Sequence, residues 1–181
     1  MQIIDLSATL RDGMAVYPGD PDVSISVVHH YHQHGWLLRL LQMGSHTGTH
    51  VDAFSHMDER GASLDDMPLD RFCGLAMVAD TRRPLPPSVG LVFRDGDLNE
   101  AHLSTILTAG APFVAVGDSA TMTVDLERAL LQKQVVTFTG LVNCDQLPAN
   151  HPFFFFGLPL KIADGDGSPV RAVAVLNWDQ R

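Results

Sequence analysis

The segment Ser45-His-Thr-Gly-Thr-His-Val-Asp-Ala-Phe-Ser-His56 contains three histidines and one aspartate within twelve residues. Gly48 lies between two threonines, which disfavours a helix and predicts an extended segment with a turn. In an extended segment the side chains of His50 and Asp52 point to the same side. A glycine also lets the backbone fold closely around an ion. The segment therefore predicts a ligand site rather than a regular core element.

The side chains of this segment are metal-ligand types. Neutral imidazole nitrogens and ionised carboxylate oxygens bind divalent metals such as zinc or manganese, so we expect His46, His50 and Asp52 to hold one. Three protein ligands leave a position for water, as in catalytic zinc sites, and such a water is a nucleophile at neutral pH. His56 is the candidate for proton transfer, because an imidazole titrates near neutrality. It could instead be a further ligand.

The same segment resembles the signature of the metal-dependent cyclase family, which includes bacterial kynurenine formamidases and isatin hydrolases. That signature is His-x-Gly-Thr-His-x-Asp-x-Pro-x-His, and the sequence departs from it only at the proline, which is Phe54. Residues 17–21, 158–161 and 167–171 extend the resemblance over most of the chain. The resemblance implies an α/β fold, a layered β/β/α (swivelling-domain-like) single domain spanning residues 1–181. It also implies a mixed sheet with helices on one face, and a homo-oligomer, a dimer or larger, with active sites near the subunit interface.

Family members with two metals add a histidine at the start of the second helix and a glutamate in the strand after it. Aligned by resemblance, these positions hold Glu127 and Thr139. A threonine cannot act as an anionic ligand, so the number of metals, one or two, stays open. Glu127 is either a fourth or second-site ligand or a solvated charge on its helix.

The resemblance implies an amidohydrolase that cleaves the carbon–nitrogen bond of an amide, an aryl formamide or a small cyclic amide with a metal-activated water. Tyr17, Trp36 and Phe54 are candidate pocket walls, because aromatic side chains suit a planar substrate. One alternative is a noncatalytic metal- or small-molecule-binding module that has lost its glutamate at Thr139. Another is a cyclase or dehydratase that uses the ion as a Lewis acid, because fold and metal do not fix the reaction.

Composition limits the class of protein. The chain of 181 residues is 45% hydrophobic, which suits one compact domain. Its net charge of -9 argues against nucleic acid as a partner. The partner that the resemblance implies is a small-molecule substrate. No segment approaches the roughly 20 apolar residues that cross a bilayer, and the N-terminus lacks a signal-peptide pattern. Two isolated cysteines suggest no disulfide framework. We expect a cytoplasmic protein without a membrane partner.

Periodicity and turn residues predict the elements around the segment. Residues 29–34 hold four more histidines at a predicted hairpin tip without a carboxylate, and we do not expect a physiological metal there. Asp97 is the candidate N-cap of the first long helix, residues 117–121 are expected to follow a strand end, and residues 163–169 read as a hairpin turn. The expected strands are residues 2–6, 23–28, 36–43, 75–79, 91–93, 113–116, 135–139, 153–162 and 170–176, and the expected helices are residues 98–108 and 124–132.

Overall fold

The computed structural model describes residues 1–177, which form eleven strands and three α-helices. The strands are β1 (Gln2–Asp5), β2 (Ser24–His29), β3 (Leu38–Gln42), β4 (His50–Asp52), β5 (Cys73–Ala79), β6 (Gly90–Leu98), β7 (Phe113–Met122), β8 (Val136–Leu141), β9 (Phe153–Phe156), β10 (Gly167–Pro169) and β11 (Val173–Leu176). The helices are α1 (Tyr31–His34), α2 (Leu103–Ala109) and α3 (Val124–Gln132).

Nine of these strands form one mixed sheet in the order β1-β11-β9-β5-β6-β7-β8-β4-β10. The four central strands, β5 to β8, are parallel, and the remaining pairs on both sides are antiparallel. Parallel neighbours need a crossover connection, which α2 provides between β6 and β7 and α3 provides between β7 and β8. This is the mixed α/β fold expected from the resemblance.

The central strands bury both faces. Leu91 and Phe93 of β6 pack in one cluster with Leu126 and Leu130 of α3, whereas Val92 between them belongs to a second cluster. Side chains of successive strand residues point to opposite faces. The two clusters therefore lie on opposite faces of the sheet, and α2 and α3 cover one of them, as predicted.

The sheet curves strongly. The backbone of Leu6 donates to the carbonyl of Ala172 at 2.9 Å and accepts from the amide of Val142 at 3.0 Å. These partners lie next to β11 and β8, which are five positions apart in the sheet order. Neighbouring strands are about 4.8 Å apart, so a flat sheet could not bring both within reach of one residue.

The antiparallel pair β2–β3 was predicted correctly and forms a separate two-stranded sheet that pairs Ser24 with Gln42. All five residues of β3 are exposed. The short helix α1 lies at the hairpin tip and contains His32 and His34 of the histidine cluster in residues 29–34. In the described part of the chain, no helix is long and apolar enough to span a membrane.

Three local predictions were wrong. The helix predicted from residue 98 begins later, because β6 continues to Leu98 and pairs it with Met122. Asn99, not Asp97, caps the following helical turn and accepts a hydrogen bond from the amide of Ala101. For the same reason residues 117–121, expected to follow a strand end, lie inside β7.

The predicted C-terminal hairpin is also different. Strands β9 and β11 are antiparallel neighbours, but the chain between them leaves the hairpin and forms β10, which pairs with β4 at the opposite end of the sheet. The connection is therefore more than a turn. It brings residues 166 and 167 beside the segment 45–56 that contains His46, His50 and Asp52.

Candidate metal centre

Strand β4 positions the site. It lies between β8 and β10, which place Thr139 opposite His50 and both Thr137 and Gly167 opposite Asp52. Gly48, just before the strand, has a φ of 65°, a left-handed conformation that glycine adopts without strain. This bend joins the turn that carries His46 to the strand.

Three of the predicted ligands converge. Nδ1 of His46 lies 2.7 Å from Oδ1 of Asp52, and Nε2 of His50 lies 3.6 Å from the same oxygen. One ligand atom from each residue lies within 4.8 Å of the others. Asp52 is 1% exposed. A buried carboxylate with two imidazole nitrogens around it is a donor set that fits one divalent cation.

Other groups hold two of these side chains in place. Nδ1 of His50 contacts the carbonyl of Gly48 at 2.9 Å, and since a carbonyl only accepts, Nδ1 carries the proton. The lone pair of His50 is therefore on Nε2, the nitrogen that faces Asp52. Oδ2 of Asp52 accepts a hydrogen bond from the hydroxyl of Thr137 at 2.7 Å, which leaves Oδ1 toward the histidines. Such outer partners orient ligands at metal sites.

Charges at the cluster favour a cation. Burial alone raises the pKa of Asp52, but the hydrogen bond from His46, the nearby histidines and the hydrogen bond from Thr137 outweigh it and lower the pKa overall. Burial alone lowers the pKa of His46, yet its hydrogen bonds to Asp52 and Asp166 raise it to about 9. A proton on His46 thus occupies the place that a metal ion would take between the imidazole and the carboxylate.

His56 lies beside these three predicted ligands at the end of a 3-10 turn formed by Phe54–His56. Its ring centroid is 4.0 Å from that of His46. Burial and the neighbouring positive charge of His46 lower the pKa of His56. The ring is therefore neutral at pH 7 and can accept a proton.

Glu127, on α3, lies near Asp52. Burial and the charge of Asp52 raise the pKa of Glu127 to about 8. This shift is unlike that of a fully solvated helix charge, the second of its two sequence interpretations. Its role as a further ligand stays a prediction. Thr139, at the position expected for the family glutamate, has its hydroxyl 2.9 Å from Nε2 of His50.

Sequence reasoning missed Asp166, which was assigned to a turn. Its Oδ2 lies 2.9 Å from Nε2 of His46 and 3.6 Å from Nδ1 of His56. Burial raises the pKa of Asp166, but the hydrogen bond from His46 lowers it overall, so this carboxylate is ionised. The signal available in the sequence was its position directly before residues 167–171, one of the segments that resembles the family.

The three aromatic residues proposed as pocket walls lie in different surroundings. Phe54 is only 8% exposed and belongs to the core. Tyr17 is 68% exposed and Trp36 is 57% exposed. The indole of Trp36 donates to Nδ1 of His29 on the hairpin at 2.8 Å. Their contact with substrate stays a prediction, and Phe54 offers the least surface for it.

Comparison with known proteins identifies the family. A family model described as putative cyclase matches residues 4–139. The chain belongs to the cyclase family. Among curated cyclase-family relatives, the kynurenine formamidase of Salinibacter ruber is 30% identical over 210 residues, covering 96% of this chain and 97% of that protein. The kynurenine formamidase of Paracidovorax citrulli is 29% identical over 213 residues, covering 93% and 94%.

Solved structures show that the cyclase-family fold extends over nearly the whole chain. Isatin hydrolase A from Labrenzia aggregata, bound to benzyl benzoate, superposes with a TM-score of 0.78 at 22% identity and covers 96% of this chain and 93% of that one. Isatin hydrolase A from Ralstonia solanacearum gives a TM-score of 0.79 at 22% identity, covering 96% and 91%. The resemblance stated from the sequence is thereby confirmed.

Proposed function

We propose that this protein is a metal-dependent hydrolase that cleaves the carbon–nitrogen bond of an aryl formamide or a small cyclic amide. The observation that carries the proposal is the convergence of His46, His50 and Asp52, with a neutral imidazole, His56, beside them. The curated relatives are named kynurenine formamidases and the structural neighbours include isatin hydrolases. These names agree with the amidohydrolase class expected from the sequence.

The ion would be held by His46, His50 and Asp52, and we propose zinc or manganese because both accept mixed nitrogen and oxygen ligands. A divalent metal supplies Lewis acidity, which polarises a substrate carbonyl and makes water a nucleophile at neutral pH. Glu127, whose carboxyl lies near Asp52, is the candidate for a fourth ligand or for a ligand to a second ion.

The protein's own contribution to the reaction is proton transfer and positioning. His56 is neutral because of burial and the charge of His46. It would accept the proton of the attacking water and return it to the leaving nitrogen. The hydrogen bonds of His50 to Gly48 and of Asp52 to Thr137 fix the directions of the ligand atoms before the substrate binds.

Metal content and two substitutions test this function. Untagged protein dialysed against zinc, and separately against manganese, should contain at least one ion per chain. His50→Ala should lose tight metal binding, whereas His56→Ala should keep the metal and lose most of its turnover of aryl formamides or isatin-like amides. His151→Ala, an exposed histidine elsewhere, serves as the control.

The same experiment separates the alternatives. Full metal content without turnover of any such amide would favour the noncatalytic binding module. Turnover that yields a cyclised or dehydrated product would favour Lewis-acid chemistry of another kind. Full metal occupancy in His50→Ala would contradict the ligand assignment.

We also propose a homodimer. The β2–β3 hairpin exposes a group of large apolar side chains, namely Trp36 at 57%, Leu38 at 46%, Leu40 at 56% and Leu41 at 56%. An isolated two-stranded sheet is at best marginally stable in water, and apolar patches of this kind mark protein interfaces. A second copy of the chain packed on one face of this hairpin would bury the side chains of that face, such as Leu38 and Leu40.

Light scattering coupled to gel filtration tests the dimer. Leu40→Glu should shift the wild-type dimer toward the monomer, because it places a charge in the buried interface. Leu69→Glu is the control, since Leu69 is 67% exposed and lies outside the hairpin. A monomeric wild-type protein would refute the proposal.

The remaining partners follow from charge and chemistry. With a net charge of -9, we propose a small-molecule substrate rather than nucleic acid or a membrane surface. The two cysteines are both free, which agrees with the reducing cytoplasm as the location.

A further inference from the structure

We propose that Asp166 is a positioning residue that fixes the ring of His46 so that Nδ1 is its ligand atom. This inference rests on the proposed metal site. Asp166 lies 120 positions after His46 in the chain, yet its Oδ2 is 2.9 Å from Nε2 of that histidine. A histidine that binds a metal through one nitrogen commonly donates its other N–H to a carboxylate, which sets the tautomer and the ring orientation.

The two nitrogens of His46 face different carboxylates. Nδ1 lies 2.7 Å from Asp52, on the side where His50 also points, and Nε2 lies 2.9 Å from Asp166. An ion that replaces the proton on Nδ1 would leave Nε2–H to donate to Asp166. His46 would then have the same kind of outer partner that Gly48 provides for His50 and Thr137 provides for Asp52.

The backbone holds Asp166 in place. Its carbonyl accepts the amide of Ala53 at 2.8 Å, and the next residue, Gly167, pairs with Asp52 in the β10–β4 ladder. A carboxylate whose backbone is fixed by these hydrogen bonds can orient an imidazole, which a mobile loop residue could not do.

Asp166 also connects His46 with His56. The oxygen that contacts Nε2 of His46 lies 3.6 Å from Nδ1 of His56, and the two rings are 4.0 Å apart. One carboxylate thus lies next to both the proposed proton-transfer residue and a proposed ligand. We therefore expect loss of Asp166 to affect both metal binding and kcat.

An alternative position for the ion lies on the Asp166 side of the His46 ring, because His46, His56 and Asp166 are themselves close enough to hold an ion. The exposures of the two carboxylates favour an ion on the Asp52 side of the His46 ring, since Asp166 is 49% exposed whereas Asp52 is 1% exposed. Water already solvates the exposed carboxylate, and the buried one gains more from a cation. The ion is thus assigned to the Asp52 side of the ring.

The first test is nitrogen-15 NMR of the histidine rings in the zinc-loaded full-length protein, with the His46 signals assigned from a His46→Asn variant. The expected result is a metal-bound Nδ1 and a protonated Nε2 on His46. A protonated Nδ1 with a metal-bound Nε2 would overturn the proposal, because the ion would then lie on the Asp166 side.

The second test compares zinc affinity, kcat and KM for Asp166→Ala and Asp166→Asn. Removing the outer partner of a metal-bound histidine weakens binding about 10- to 100-fold, which we expect for the alanine variant. Asparagine keeps an acceptor oxygen and should restore part of the affinity. Asp164→Asn is the control, since it makes the same charge change two residues earlier.

The outcomes separate this inference from the function. Wild-type protein that binds no zinc would refute the proposed metal centre. Wild-type protein that binds zinc, with Asp166→Ala of equal affinity and kcat, would refute the role of Asp166 alone. An equal loss of zinc affinity in Asp164→Asn would mean that the effect comes from net charge alone, which would also refute the role of Asp166. Melting curves in chelator show whether each variant is folded.

Discussion

Gly167 lies directly against the imidazole of His46, so that a Cβ at this position would come within 2.4 Å of Cε1 and 2.9 Å of both ring nitrogens. The glycine is required here by the close approach of a side chain. Any larger residue would have to displace His46 from between its two carboxylates.

Gly167→Ala should therefore weaken metal binding. Cβ atoms do not approach other heavy atoms to 2.4 Å, so the ring must move, and metal affinity should fall by tenfold or more, as for lost ligand positioning. Gly44→Ala is a matched control, because a Cβ there meets its neighbours only at 3.7 Å or beyond. Chelator competition measures both affinities. Equal affinity of Gly167→Ala and wild type would contradict the placement of His46.

Two threonines on β8 should behave differently when each is replaced by valine. The hydroxyl of Thr137 bonds Oδ2 of Asp52, the oxygen turned away from the histidines, and this bond can persist when the ion binds. The hydroxyl of Thr139 hydrogen-bonds Nε2 of His50, the nitrogen that would bind the ion, so this bond is lost when the ion binds. We expect Thr137→Val to weaken metal binding about tenfold and Thr139→Val not to weaken it.

Titration calorimetry with the two valine variants measures this difference, and melting curves in chelator serve as the folding control. A stronger loss in Thr139→Val than in Thr137→Val would mean that Nε2 of His50 is not the ligand atom.

Metal binding should release protons. The hydrogen bonds to Asp52 and Asp166 hold the pKa of His46 at about 9 in the metal-free chain, so this ring is protonated at pH 7 and must release a proton to the buffer when the ion binds. Apparent affinity should rise between about pH 7 and pH 9 and level off above it. Calorimetry in buffers of different ionisation enthalpy counts the protons. Binding at pH 7 without proton release would contradict this protonation state.

The pH also affects the stability of the metal-free protein. The folded-state pKa of His46 lies above its ordinary value of 6.5, so its contribution to stability is fully present below pH 6.5 and is lost as the pH rises through about 9. Glu127, whose pKa is raised from 4.5 to about 8, acts in the same direction. The pKa of His56 is lowered and opposes this trend only below pH 6.5, so the melting temperature in chelator should fall from about pH 7 to pH 9. A melting temperature that rises over this interval would contradict these shifts.

The sequence predicted elements well where periodicity and turn residues agree. Helix α3 and the β2–β3 pair follow directly from apolar spacing and capping residues. The predicted start of the helix at residue 98 was wrong. Asp97 has the residue type of a helix cap, but the pairing of β6 with β7 continues past it to Leu98. Local capping chemistry cannot reveal a strand partner that lies distant in sequence.

The residues of the site also differ in how far the sequence predicts them. The proposed ligands His46, His50 and Asp52 lie close together in sequence, so their residue types and spacing are visible without a structure. Asp166 reaches the site through the pairing of β10 with β4, two strands more than 100 residues apart. Asp-Gly sequences are common in turns, and this one was assigned accordingly. Its contact with His46 depends on sheet topology, which a single sequence does not fix.

Strand β10 is three residues long and lies at one end of the nine-stranded sheet. Few backbone hydrogen bonds hold so short a strand, and edge strands are the first to open in native-state fluctuations. The contact between His46 and Asp166 adds a link from this strand to the turn before β4. An ion at His46 would therefore stabilise the sheet edge, and amide hydrogen exchange in residues 166–168 should slow when the protein is loaded with metal.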